Sequence, residues 1–204
     1  MLDKLVAEEL RADRDGAIIG SEIIVLEKTG STNDAILQIA KTNPKEGLVV
    51  FAEHQTAGRG QRGNRWESAT GKGLWFSILL RPKIELANSS QLTEWAAEAV
   101  SDTIQDEFSI APTIKPPNDV QVDGRKVAGV LVEMRAQEKA PHLAIAGVGI
   151  NLNQSREDFS RELQRTAISL AMAIGRHVDR HSFAITLLRN LDRTYCERFA
   201  SAER

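Results

Sequence analysis

Four cations, Arg59, Arg62, Arg65 and Lys72, fall within residues 58–73 against Glu67 alone, and the same stretch holds Gly58, Gly60, Gly63, Gly71 and Gly73. Bare backbone amides and guanidinium forks gathered in one loop are a means of surrounding phosphate or carboxylate. Gly58-Arg59-Gly60-Gln61-Arg62-Gly63 also matches the spacing G-x-G-x-x-G. A dinucleotide loop, however, opens directly into a helix, whereas residues 64–73 contain polar residues and two more glycines before a strand begins. Nor does the stretch contain the G-x-x-x-x-G-K-[ST] of a P-loop. On composition alone it reads either as an anion cradle or as a mobile surface loop with solvated arginines. A connection this long inside a compact domain is usually functional, which favours the cradle.

Other candidates carry two readings each. Lys126 stands just past an Asp123-Gly124 turn and by itself reads as an exposed strand-edge lysine. Asn118 and Asp119 follow two prolines and fit a turn. Ser31 and Thr32 stand where helix N-caps stand, and Trp66 reads equally well as a core residue. His54, His142, His177 and His181 are scattered, and nothing pairs a serine or cysteine nucleophile with histidine, so a covalent enzyme intermediate is not expected. The single Cys196 excludes an internal disulfide, and no Cys/His cluster offers a zinc site.

The elements that must position these residues follow from periodicity. Leu2, Leu5, Val6 and Leu10 predict a first helix before the break at 16–20, and residues 22–27 read as a strand. Ile36, Ile39 and Ala40 share a helical face behind Ser31 and Thr32. Residues 47–53 and 74–80 predict strands on either side of the glycine-rich loop. Leu92, Trp95, Ala96, Ala99, Val100 and Ile104 give a long amphipathic helix after Asn88. Asp119–Val122, Asp123-Gly124 and residues 126–134 form a hairpin signature with a type I′ turn. Leu143–Asn151 predicts another apolar strand, and residues 179–201 a closing helix. This mixture predicts an α+β fold, a mixed β-sheet flanked by helices.

At 204 residues with 42% hydrophobic and 26% charged residues, the composition is that of one globular domain and excludes disordered and fibrous classes. No apolar run approaches the ~20 residues of a membrane helix, and residues 1–15 lack an apolar signal-peptide core. A cytoplasmic protein with no membrane partner is expected. The net charge of −2 excludes an overall nucleic-acid footprint.

Gln55-Thr56-Ala57-Gly58-Arg59-Gly60-Gln61-Arg62-Gly63-Asn64-Arg65-Trp66 resembles the signature loop of biotin protein ligases. Ser31-Thr32-Asn33, Lys115-Pro116-Pro117-Asn118-Asp119-Val120, Gly124-Arg125-Lys126-Val127-Ala128-Gly129 followed by Val132-Glu133, and Gly147-Val148-Gly149-Ile150-Asn151 agree in order and spacing. The resemblance covers residues 22–195 and implies a single catalytic domain with the class II synthetase-like fold. It implies formation of biotinyl-5′-AMP from biotin and ATP with Mg2+, then transfer of biotin to a lysine of the carrier domain (BCCP) of acetyl-CoA carboxylase. By the same resemblance Ser31, Thr32, Asn33 and Gln55 hold the biotin ring, with Gly60, Gln61 and Gly129 beside it. Gly129 and Ala128 leave room for the biotin tail. Arg59 clamps the carboxylate and then the adenylate phosphate, and Lys126 stabilises charge between them. Arg62, Asn64, Trp66, Asn118, Asp119 and Asn151 serve the nucleotide, with Asp119 also a Mg2+ contact.

The pattern departs from the family at Pro116, where tryptophan is usual, and at Gln61 and Asn64, where arginine is common. Only about 20 residues precede the match, too few for a DNA-binding helix-turn-helix, so no DNA partner is expected, and the C-terminal SH3-like domain of many relatives is expected to be absent. A homodimer is compatible with the resemblance. The alternatives are a lipoate–protein ligase of the same fold and a protein that binds biotin or its adenylate without transferring it.

Overall fold

The computed structural model describes residues 4–12, 14, 16–136 and 142–199. Its strands are β1 (Ile23–Leu26), β2 (Val49–Ala52), β3 (Gly73–Leu80), β4 (Thr113–Lys115), β5 (Asp119–Val122), β6 (Arg125–Arg135) and β7 (Leu143–Asn151). They form one sheet in the order β1-β2-β3-β7-β6-β5-β4. Among the described strands β1 and β2 pair parallel and the other neighbours antiparallel. The expected mixed sheet flanked by helices is therefore present.

The helices divide between the two faces. α3 (Ser90–Phe108) and α5 (Arg180–Arg198) cover one face, joined by the Trp95 indole, which donates to the Thr194 hydroxyl at 2.9 Å. On that side Leu74, Phe76, Ile78 and Leu80 of β3 meet Ala144, Ala146, Val148 and Ile150 of β7 in one apolar core. α2 (Thr32–Ala40) lies on the other face, where Ile36 packs with Leu48, Val50, Leu79, Leu143 and Ile145. Alternation along a strand sends successive side chains to opposite faces, so β7 presents Leu143, Ile145, Gly147, Gly149 and Asn151 in line on the α2 side. Two large residues lie under the helix. Two glycines then leave a recess just beyond its N-terminus.

The hairpin is as expected, with Asp123 at φ 51° and Gly124 at φ 69°, the left-handed pair a type I′ turn requires. The first helix is shorter than expected, α1 (Ala7–Arg11), and Met1–Asp3 and residues 200–204 lie outside the described residues. Periodicity missed β4 and α4 (Leu170–Ile174), both of a single turn or pleat or little more.

Candidate active site

The N-terminal turn of α2 delivers Ser31, Thr32 and Asn33, all buried, onto the β7 recess. Ser31 precedes the helix but makes no side-chain capping bond; its side chain lines the cavity instead. The Thr32 amide donates to Gln55 Oε1 at 2.8 Å, and the Thr32 hydroxyl lies 3.2 Å from the same oxygen. Ser77 of β3, fully buried, sits 2.7 Å from Thr32 Oγ1 and 2.6 Å from Asn33 Oδ1. Asn33 donates in turn to Glu133 at 2.7 Å. Such a network presents fixed donors and acceptors at low cost because its members already satisfy one another. A Cβ at Gly147 would collide with the Asn33 amide, so this glycine is what lets Asn33 reach the sheet.

The glycine-rich loop spans residues 53–72 and is held by its own backbone. Trp66 N donates to Gly58 O at 2.9 Å and Gly60 N to Asn64 O at 2.7 Å, around a short 3-10 turn at Gln61–Gly63. The mobile-loop reading is thereby set aside for this backbone. Arg59 is gripped by two carboxylates, Asp34 at 2.5 Å and Glu133 at 3.1 Å. The hydrogen bond to Asp34, with the nearby Glu133 charge, raises its pKa above the ordinary guanidinium value. Trp66 lies across the recess: a Cβ at Gly149 would approach it to 2.5 Å and one at Gly129 to 3.0 Å. Its ring meets Trp75 edge-on at 5.9 Å.

Lys126 owes its direction to a β-bulge. Val120 pairs with Ala128 but Gln121 with Lys126, leaving Val127 as the extra residue of β6. Strict alternation from Gly129 would bury Lys126 beside Ala128 and Val130. The bulge instead sends Val127 into the helix-side core with them and turns Lys126 to the recess, the re-aiming that bulges permit. Lys126 Nζ reaches Asp119 at 2.6 Å and stands 5.2 Å from the Trp66 ring. The expected room beside Ala128 and Gly129 is different in kind. Ala128 belongs to the opposite core, and the space over Gly129 is taken by the Lys126 side chain.

Two of the clefts that open to solvent here meet at the same residues. The first is lined by Ser31, Thr32, Asn33, Gln55, Arg59, Gly60, Asn118 and Gly129, with Gly147 and Gly149 as floor. The second is lined by Arg65, Glu67, Asn151, Phe159, Leu163 and Ala167. Trp66 and Lys126 border both. Of the residues singled out in the sequence, Gln61, Arg62 and Asn64 lie at the loop tip and line neither cavity, and Asp119 touches them only through Lys126. Asn118 is pinned by donating to Val130 O at 3.0 Å, and Asn151 by accepting from Gln154 at 3.0 Å. Among the described residues, no three His, Cys, Asp or Glu side chains gather as metal ligands. Sequence reasoning passed over Ser77, Asp34 and Phe159 and gave Glu133 no role. Glu133 entered the sequence reading only as the end of the motif that runs from Gly124 to Val132-Glu133.

Residues 25–151 match the biotin/lipoate A/B protein ligase family. The chain is 40% identical over 177 residues to the bifunctional ligase/repressor BirA of Bacillus subtilis, covering 87% of this chain and 54% of that protein. It is 33% identical to the biotin–[acetyl-CoA-carboxylase] ligase of Mycobacterium tuberculosis, over 84% of this chain and 63% of the relative. The chain thus spans little more than half the length of the curated relatives it matches. Among solved structures, the biotin protein ligase of Aquifex aeolicus in complex with biotin and ATP superposes with a TM-score of 0.74 at 31% identity, covering 87% of this chain and 73% of that one. The chain belongs to the biotin/lipoate A/B protein ligase family.

Proposed function

We propose that this protein is an ATP-dependent biotin–protein ligase. One observation carries the reading: two cavities meet at a shared lysine and a shared tryptophan. An enzyme that joins a carboxylate to the α-phosphate of a nucleotide needs two such compartments with a cation at their junction. In the first step a biotin carboxylate oxygen attacks the α-phosphorus and pyrophosphate leaves, forming biotinyl-5′-AMP. Lys126 then faces both anions and offsets the charge that grows on the phosphoryl oxygens. Arg59, released from Asp34 and Glu133, supplies a second charge-assisted contact. In the second step the acceptor lysine amine attacks the acyl carbon and AMP leaves with the bonding pair.

The Thr32, Asn33, Gln55 and Ser77 network favours biotin over lipoate, because a ureido ring offers matching donors and an acceptor whereas a dithiolane offers neither. Phe159, Leu163 and Ala167 give the second cavity the apolar wall a base requires. Mg2+ takes most of its ligands from phosphate and water and needs few carboxylates; Asp119, which meets the cavities through Lys126, is the carboxylate we propose for it, and the bound ion would neutralise phosphate charge. The acceptor we propose is the carrier domain of acetyl-CoA carboxylase, and the protein is proposed to act in the cytoplasm. No helix among the described residues is long and apolar enough to cross a membrane. The repressor activity named for some relatives is not part of the proposal.

The test is mass spectrometry of a carrier domain after incubation with ATP, Mg2+ and either biotin or lipoate. A biotin-sized mass increase that requires ATP is expected. An increase with lipoate alone overturns the reading, and pyrophosphate release without any acceptor modification points to a protein that only forms and holds the adenylate.

A further inference from the structure

The second cavity has two walls that come from distant parts of the chain. One is the descending arm of the glycine-rich loop, with Arg65, Trp66 and Glu67; the other is the stretch 152–169 after β7, with Phe159, Leu163 and Ala167. Two side-chain ties join them. Glu67 accepts from the Ser160 amide at 3.1 Å. Lys72 grips both oxygens of Asp158, at 2.6 and 2.8 Å, and its backbone carbonyl accepts from Asn153 N. Asp158 is held from its own side as well, accepting from the Ser155 amide at 2.8 Å and hydroxyl at 2.9 Å. The far end of the stretch is fixed to the catalytic hairpin, where Lys126 N donates to Thr166 O and Ile168 N to Lys126 O.

These ties are poor candidates for holding the fold together. The side chains of Lys72 and Asp158 are 41% and 22% exposed, and ion pairs so open to water add little stability. Their position suits another task. Without them each wall would have to be ordered when the nucleotide enters, a cost subtracted from its affinity. We propose that Glu67, Lys72 and Asp158 are positioning residues for the nucleotide: they set the gap between the loop that carries Trp66 and the stretch that carries Phe159, so that the cavity is formed before ATP arrives. The proposal rests on the reading of the second cavity as the nucleotide site.

Electrostatics alone predicts the opposite sign for two of the three. An acid beside a polyphosphate site repels ATP, so neutralising Glu67 or Asp158 without any positioning role improves ATP binding or leaves it unchanged. Positioning predicts that Glu67→Ala weakens it about fivefold, while Glu67→Gln, equally neutral but still able to accept from the Ser160 amide, stays within about twofold of the parent. Lys72→Met and Asp158→Ala are each expected to weaken it about fivefold, with the double variant no weaker than either single one, because both break the same contact.

The experiment is calorimetric titration of each full-length variant with an ATP analogue carrying a methylene between the α- and β-phosphorus, and separately with biotin, alongside thermal denaturation. Weakened nucleotide binding with biotin affinity within twofold and melting within a few degrees is the expected result. Tighter or unaltered nucleotide binding in Glu67→Ala overturns the proposal, as does a parallel loss of biotin affinity or a large fall in melting temperature, either of which marks a merely structural role. A parent protein that binds biotin but not the analogue overturns the reading of the cavity and this proposal together.

Discussion

Lys126 is placed by partners on both sides: Asp119 at 2.6 Å and the Trp66 ring at 5.2 Å, with neither cavity wall enclosing it completely. Its side chain is 31% exposed, so truncation leaves no void in the apolar core. A preorganised cation aimed at developing charge contributes about 3 kcal/mol to a barrier, the order of one oxyanion donor. Lys126→Ala is therefore expected to slow biotin-dependent pyrophosphate exchange by ~10²-fold with the melting temperature little changed; near-normal exchange would show that another cation carries the step. Ser77 is the contrasting case. It is fully buried between Thr32 and Asn33, and removing its hydroxyl leaves Asn33 Oδ1 without that donor while Thr32 keeps Gln55, at about 1–3 kcal/mol. Ser77→Ala is expected to lower stability by that amount in urea titration and to weaken biotin binding about tenfold, with nucleotide affinity unaffected. Equal losses for both ligands would mean that the network supports the fold and not the biotin compartment. The sequence marked Lys126 because it lies beside a turn in a recognisable hairpin. It was silent on Ser77, the one serine of the apolar strand β3, because its value comes from two residues that reach it from α2.

Elements convert these residues into a site through register. β7 is legible from end to end because a strand covered on both faces reads as a continuous apolar run, and its glycines were visible in the sequence. What they face was not, since the pairing of β3 with β7 joins segments far apart in the chain. The bulge at Val127 was hidden for the same reason: it exists only in the mismatch between two strands. The stretch 152–169 has neither period two nor period 3.6, and its placement depends on the bonds to Lys72, Glu67 and Lys126 described above. Gly149→Ala tests the register directly. The strand tolerates alanine, but its Cβ would come within 2.5 Å of the Trp66 ring, and a rigid bicycle cannot yield locally. Trp66 is expected to be displaced from the recess and adenylation to fall by about tenfold or more, the scale of a catalytic group moved by about an ångström. Fluorescence quenching by acrylamide reads this cleanly, because Trp75 and Trp95 are fully buried and the increase in quenching must come from Trp66. Unaltered quenching with full activity would place the indole elsewhere.

At the scale of the molecule, one buried ion pair joins the helix layer to the chemistry on the opposite face. Arg180, at the start of α5 and fully buried, donates to the Gly73 carbonyl at 3.1 Å and to Glu53 at 2.7 Å. Glu53 and Gly73 are the two roots of the glycine-rich loop, so a single guanidinium holds both ends of it. The other oxygen of Glu53 accepts from the Leu5 amide at 2.8 Å, which ties the N-terminal segment to the same point. Neither residue stood out in the sequence, where Arg180 is one of many charged residues in a helix and Glu53 simply ends a strand. Breaking a buried pair by removing one partner leaves the other charge uncompensated, at about 3–5 kcal/mol, whereas replacing both partners is far better tolerated. That loss is a large part of the 5–15 kcal/mol by which a typical domain is stable. Arg180→Met is therefore expected to lower the urea midpoint severely and the melting temperature by roughly 10 °C. Adding Glu53→Gln, which keeps an oxygen for the Leu5 amide, is expected to restore at least about 1 kcal/mol of stability. Activity is expected not to return with it, because methionine gives the Gly73 carbonyl no donor and leaves one root of the loop unheld. Recovery of stability and biotin affinity together in the double variant would show that the loop is held by its internal backbone bonds and owes nothing to Arg180.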